Sequence, residues 1–284
     1  MAESADILTS AKQRVILPDL AAGCSMADMA TANQVEQCWK ELEKIGVAAK
    51  TVPVTYMNSS AAIKSFTGEH GGTICTSSNA QKSLEWAFSK AEKVLFLPDQ
   101  HLGRNTAVLS LGLSIDDCVL WNPWKPMGGL TEDQVKNAKM ILWRGHCSVH
   151  GRFTRQTVDE VRSRVPGVQV IVHPECQHEV VLAADVVGST EKIIQTVSSS
   201  PAGSKWAIGT ELNLVSRLAQ NNPDKEVVFL DKTVCYCSTM NRIDLPHLVW
   251  AMESIVAGHI VNEIKVDERV AKYSRLALEQ MLAL

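Results

Sequence analysis

Four short apolar runs lie between Cys24 and Cys147: "KTVPVTYMN" (50–58), "GTICTSSN" (72–79), "KVLFLPDQ" (93–100) and "KMILWRGHC" (139–147). Each gives way to small or polar residues, and the stretches between them carry apolar residues at helical spacing. Residues 27–46, "ADMATANQVEQCWKELEKIG", stop at a glycine, and "SNAQKSLEWAFSKA" opens with a serine. Short unbroken apolar runs read as strands buried on both faces. Strand then helix, repeated, constrains the chain to a parallel sheet with helices on both faces, because each parallel strand needs a crossover that returns the chain to the same end. A fifth run, "DDCVLW" (116–121), reads as a short extra strand inside an insertion.

The same order recurs between Cys147 and Cys237. Its strands are "VQVIVHPE", "ADVVGST", "KWAIGTE" and "EVVFLD", with helices over 158–164, 177–184, 191–198 and 211–221. Each unit therefore holds about four strands and closes on a cysteine, the pattern of duplicated domains. The opening residues, "MAESADILTSAKQRVILPDLAAGC", look like the last helix and strand of a third such unit, closing on Cys24 without its earlier strands, and "VILPDL" echoes "LFLPDQ". The expected fold class is α/β: repeated small three-layer α/β/α domains with parallel four-stranded sheets. The expected divisions are 1–24 (remnant of a first unit), 25–147, 148–237, and a C-terminal helical segment 238–284 packing back on the first unit.

Composition narrows the partners. A net charge of −3 over 284 residues gives no basic footprint for nucleic acid. No apolar run reaches membrane-spanning length, and the N-terminus lacks the basic start and apolar middle of a signal peptide, so a cytoplasmic protein with a small-molecule partner is expected. Eight cysteines in such a compartment are packing residues or ligands, not a disulfide framework.

Ligands of parallel α/β sheets meet the carboxyl ends of the strands. Standing there are Tyr56 and Asn58, Thr76 and Ser77, Asp99, Cys147, His173 and Glu175, Ser189 and Thr190, Thr210 and Glu211. The segment "GHCSVH" (145–150) places a cysteine between two histidines, where soft metal ligands would sit. It has no second close Cys or His pair, so partners must come from elsewhere in the chain.

The motifs "LPDLAAGCSMADM", "YMNSSAAIK", "TSSNA", "LPDQHLGRNTA", "WRGHCSVHGRFT", "VHPEC", "VGST" and "VDERV", in this order along the whole chain, resemble the quinolinate synthase family of NAD biosynthesis. The resemblance implies a transferase that condenses iminoaspartate with dihydroxyacetone phosphate to quinolinate, losing phosphate and water. L-aspartate oxidase or aspartate dehydrogenase would supply the iminoaspartate. It also implies three similar domains around a pseudo-threefold axis, each giving one cysteine to a 4Fe–4S cluster: Cys24, Cys147 and Cys237. Cys235 is the alternative in "CYC", since the two sulfurs of an extended backbone point opposite ways. Cys38, Cys75, Cys118 and Cys176 are left as packing.

By the same resemblance Glu175 and His173 are the acid/base groups, and Tyr56, Met57, Asn58, Ser77, His173, Pro174, Glu175 and Thr190 bind substrate. Plainer readings stand beside these: a buried packing thiol for any one cysteine, a helix N-terminal carboxylate for Glu175, and simple N-caps for Ser77 and Thr190. His146 and His150 either orient the Cys147 loop or cap it. The family's early His-Tyr-Tyr motif and a later first-domain serine have no counterpart ahead of Cys24, which keeps a non-catalytic remnant of the same fold as the alternative.

Overall fold

The computed structural model describes residues 1–10, 12–233 and 236–284; Cys235 lies outside the described residues. The chain opens with helix α1 (Ala2–Leu8) and strand β1 (Val15–Ile16), and continues with α2 (Ala32–Lys44), β2 (Thr51–Tyr56), α3 (Ala61–Glu69), β3 (Thr73–Cys75), α4 (Ala80–Lys90) and β4 (Lys93–Leu97). Helix α5 (Gln100–Asn105) follows, then β5 (Cys118–Trp121), α6 (Glu132–Asn137) and β6 (Met140–Trp143). The next unit contains α7 (Arg155–Arg164), β7 (Gln169–Val172), α8 (His178–Ala183), β8 (Val186–Val187), α9 (Thr190–Ser199), β9 (Lys205–Gly209), α10 (Leu212–Asn221) and β10 (Glu226–Phe229). Helix α11 (Leu245–Val256), strand β11 (Glu263–Ile264) and helix α12 (Glu268–Leu282) complete it.

Two parallel sheets carry the fold, in the orders β3-β2-β4-β6-β5 and β10-β9-β7-β8. The first holds the four expected strands and, beside β6 at its edge, β5, the short extra strand of the insertion. Period-2 alternation explains why these strands are apolar throughout. Leu95, Leu97, Ile141 and Trp143 enter one core with α2 and α3, while Val94, Phe96, Met140 and Leu142 enter the opposite core with α4 and α5. In the second sheet Val170, Val172 and Ala207 face one core, and Ile171, Trp206 and Ile208 the other. Both sheets are therefore the middle of an α/β/α sandwich, as expected.

The segment "VILPDL" does not enter a parallel sheet. Val15 and Ile16 pair antiparallel with Ile264 and Glu263, and the Leu17 amide donates to the Asn262 carbonyl. Helix α12 packs along α3, with Ala277, Leu278 and Met281 meeting Ile7, Ala61 and Ile74. Helix α11 buries Ala251 and leaves Leu248, Trp250 and Met252 exposed. No helix among the described residues is long and apolar enough to cross a membrane.

Lys64 is the largest charged side chain in the interior, fully enclosed in α3. Burial disfavours its ammonium and lowers its pKa from 10.5 to about 8. Its folded-state pKa lies below its unfolded one, so the unfolded chain binds the extra proton between these limits. The Lys64 contribution to stability should therefore rise with pH from about 8 to about 10.5, and below about 8 its whole penalty applies. At about 1.4 kcal/mol per pH unit the effect is on the order of 3 kcal/mol. Because buried thiols and Tyr56 titrate over the same range with the opposite sign, the readout is a difference: the denaturant midpoint of the natural chain should rise relative to that of Lys64→Met, and parallel curves for the two proteins would refute the assignment.

Candidate active site

The carboxyl ends of β2, β3, β4 and β6 face the carboxyl ends of β7 and β9 across a seam between the two sheets. Glycine brings the chain there. Gly145 bridges Asp99, and its carbonyl accepts the Gln100 amide at 3.0 Å. A Cβ on Gly145 would stand 2.2 Å from the Pro98 carbonyl, so only glycine permits this approach and the tight exit toward Cys147. Across the seam, the Asn105 side chain on α5 donates to the Pro174 and Cys176 carbonyls at 2.8 and 2.9 Å, and the Gln177 side chain donates to the Gly151 carbonyl at 2.8 Å. These bonds lock the "HPEC" turn against the first sheet.

Glu175 is buried at the centre. Its Oε2 is 2.7 Å from His150 Nδ1 and 3.7 Å from His173 Nδ1, and the Tyr56 hydroxyl lies close enough to help hold the carboxylate ionised. The two imidazoles stack at 4.6 Å, and His150 Nε2 is 3.2 Å from the Thr210 hydroxyl at the end of β9. Burial works against charge on both partners of the His150–Glu175 pair. Their mutual attraction outweighs it, raising His150 to about 10 and, with help from His173 and Tyr56, lowering Glu175 to about 2. Burial holds His173 low, at about 4, so it stays neutral beside the ion pair; its Nδ1 accepts the Glu175 amide at 3.3 Å. Burial also pushes the Tyr56 phenol well above its ordinary range.

Asp99 faces the same carboxylate. Its Oδ1 accepts the Leu102 amide at 2.6 Å while its Oδ2 is buried without a partner. Burial and the Glu175 charge raise it to about 8, so it carries its proton at neutral pH. The site therefore holds an ionised carboxylate, a protonated carboxyl, a charged imidazole and a neutral one.

Cys147, His150 and Glu175 each offer a ligand atom, all within 4.8 Å of one another. His150 Nδ1 sits out of line for a hydrogen bond to Glu175, leaving it and Glu175 Oε1 as buried polar atoms without hydrogen-bond partners. Buried polar atoms left unpaired beside a half-buried thiol fit a metal cofactor. Cys24 lies near Cys147 and Glu175; burial raises its thiol, and the Met26 and Ala27 amides beside it offset part of that rise. Cys237 stands beyond β10. Its amide donates to Glu211 Oε1 at 3.4 Å, which places it next to Thr210 on the same carboxyl edge. Cys38, Cys75 and Cys176 are enclosed completely in apolar cores, where burial pushes their thiols up, away from the thiolate form a ligand needs.

Some expected positions differ in detail. Asn79, not Ser77, occupies the N-cap of α4, and its side chain turns back to accept the Thr76 amide at 2.7 Å. Ser77 sits half-buried in the turn before it. Ser189 caps α9, leaving Thr190 exposed in the first turn. Glu175 precedes the Gln177 cap of α8, so its partners are side chains across the seam and not the helix end. Met57, Asn58 and Pro174 border the site, half-buried. For His150 the sequence offers one signal, its spacing of one helical turn from Cys147 in "CSVH".

A parallel α/β scaffold with buried acid/base groups and soft ligands at its strand ends defines an enzyme acting on a small molecule. The model of the family NadA, quinolinate synthetase A protein, matches residues 1–283. The quinolinate synthase of Streptomyces coelicolor is 68% identical over 286 residues, covering 100% of this chain and 73% of that protein. That of Nocardioides sp. is 66% identical, covering 100% and 74%, and that of Bacillus subtilis is 52% identical, covering 100% and 76%. The chain belongs to the quinolinate synthetase A protein family.

Proposed function

We propose that the chain condenses iminoaspartate with dihydroxyacetone phosphate to quinolinate with loss of phosphate and water, in the cytoplasm, taking iminoaspartate from L-aspartate oxidase or aspartate dehydrogenase. The observation that carries this reading is the buried His150–Glu175 pair beside Cys147, with His173, Tyr56 and Asp99 around it. Ring closure needs several proton transfers. Glu175 is ionised, His150 and Asp99 hold protons nearby and His173 is neutral, so donors and acceptors for proton transfer stand side by side. Tyr56 and Asn58 at the end of β2 offer a hydroxyl and an amide for a substrate carboxylate without adding charge. Ser77 and Thr190 precede and begin helices whose free amides suit an anion such as phosphate. Met57 and Pro174 shape the walls of the same site.

Cys24, Cys147 and Cys237 would hold a 4Fe–4S cluster. Bound by three thiolates, such a cube leaves one iron open as a Lewis acid. The compactness of the Cys147, His150 and Glu175 group favours a second reading, a single metal ion on those three residues. We further read the chain as units 25–147 and 148–237, with segment 238–284 set against 1–24; the β1–β11 pairing supports this division.

The test is quinolinate formation by the anaerobically reconstituted chain supplied with iminoaspartate and dihydroxyacetone phosphate. Product is expected only with both substrates present, and inorganic phosphate should appear in equal amount. Phosphate release without quinolinate would overturn the reading.

A further inference from the structure

Lys64, the last residue of the "YMNSSAAIK" motif, has no part in the chemistry described above, yet its charge is fully enclosed. Its Nζ donates to the Ser59 carbonyl at 2.5 Å and reaches the Ser59 hydroxyl at 3.3 Å. That hydroxyl donates onward to the Tyr56 carbonyl at 2.8 Å, and the Ser59 amide donates to the Met57 carbonyl at 3.0 Å. On the far side, the Met57 amide donates to the Cys75 carbonyl at 2.7 Å. The turn that carries Tyr56 and Asn58 to the seam is thus held on one side by β3 and on the other by a single ammonium.

No carboxylate forms an ion pair with Lys64 among the described residues; Glu3, which lends it some favourable field, uses its Oε2 on the Ala61 amide at 2.8 Å. A methionine would fill similar space without the cost of burying a cation, so packing alone does not account for a lysine here. We propose that Lys64 is a positioning residue for substrate binding: its buried ammonium fixes the Tyr56–Ser59 turn so that Tyr56 meets Glu175 and Asn58 meets the substrate. This rests on the reading of Tyr56 and Asn58 as substrate-binding groups.

The test compares Lys64→Met with Asn58→Ala and Tyr56→Phe in the reconstituted chain. It measures melting temperature, kcat and KM for iminoaspartate, and the affinity for quinolinate by calorimetry. Lys64→Met should melt at or above the natural temperature, yet raise KM and weaken quinolinate binding about tenfold, with a smaller change in kcat. A role confined to the fold would lower the melting temperature and leave KM unchanged. If KM and quinolinate affinity stay within twofold in Lys64→Met while Asn58→Ala raises KM and weakens quinolinate binding, the positioning role is overturned. If none of the three variants moves them, the binding site itself is wrongly placed and the inference falls with it.

Discussion

Purified without oxygen, Cys147→Ser is expected to lose all its bound iron, while the natural chain carries about four irons, as a three-thiolate cube requires. Cys147 is half-buried at the seam, with His150 and Glu175 ligand atoms within 4.8 Å and Cys24 close by, so its sulfur is central to either metal arrangement. Cys24→Ser separates the two. It should bleach a cluster, but would leave a single ion on Cys147, His150 and Glu175 in place. Cys237→Ser should behave as Cys24→Ser, and Cys38→Ser should keep full iron because that thiol is enclosed beneath α2. Iron and sulfide analysis with the visible absorption spectrum of each variant decides the matter. Unchanged iron in Cys147→Ser would remove this site from metal binding altogether.

Glu175→Gln is expected to lower turnover by about 10²-fold or more, the range for losing a general acid/base group. The substitution keeps size and hydrogen-bonding capacity but cancels the charge that raises His150 to about 10. An unpaired buried imidazolium would cost about 3–5 kcal/mol, so His150 should give up its proton in the variant at neutral pH. The stability loss then appears on acidification, when the imidazole must charge without its partner; thermal melts from pH 8 down to pH 5 should diverge from those of the natural chain. Iron content should not change if the cysteines hold the metal, and should fall if Glu175 is a ligand. Normal turnover in Glu175→Gln would exclude it from the chemistry.

The chain's own order of residues determined most of the scaffold. Strands with unbroken apolar runs and helices of 3.6 periodicity are local signals, and β2, β4, β6, β7 and β9 lie where those runs lie. Parallel pairing then follows from the strand–helix alternation, and the strand-end rule brought Tyr56, Asp99, Cys147, Glu175 and Thr210 onto one list. What no local signal carries is which of these meet. The same period-2 rule puts "VILPDL" in a strand but cannot say that Val15 pairs with Ile264, because pairing depends on a partner some 250 residues away in sequence. By sequence His150 either orients the Cys147 loop or caps it; only the second sheet brings Glu175 to within 2.7 Å of it. Asp99 and Lys64 are ordinary charged residues in a string of letters. Only closure of the cores around them strips away water, and desolvation is a property of the assembled interior: it turns one into a carboxyl that keeps its proton and the other into a cation that ties down the turn carrying Tyr56 and Asn58.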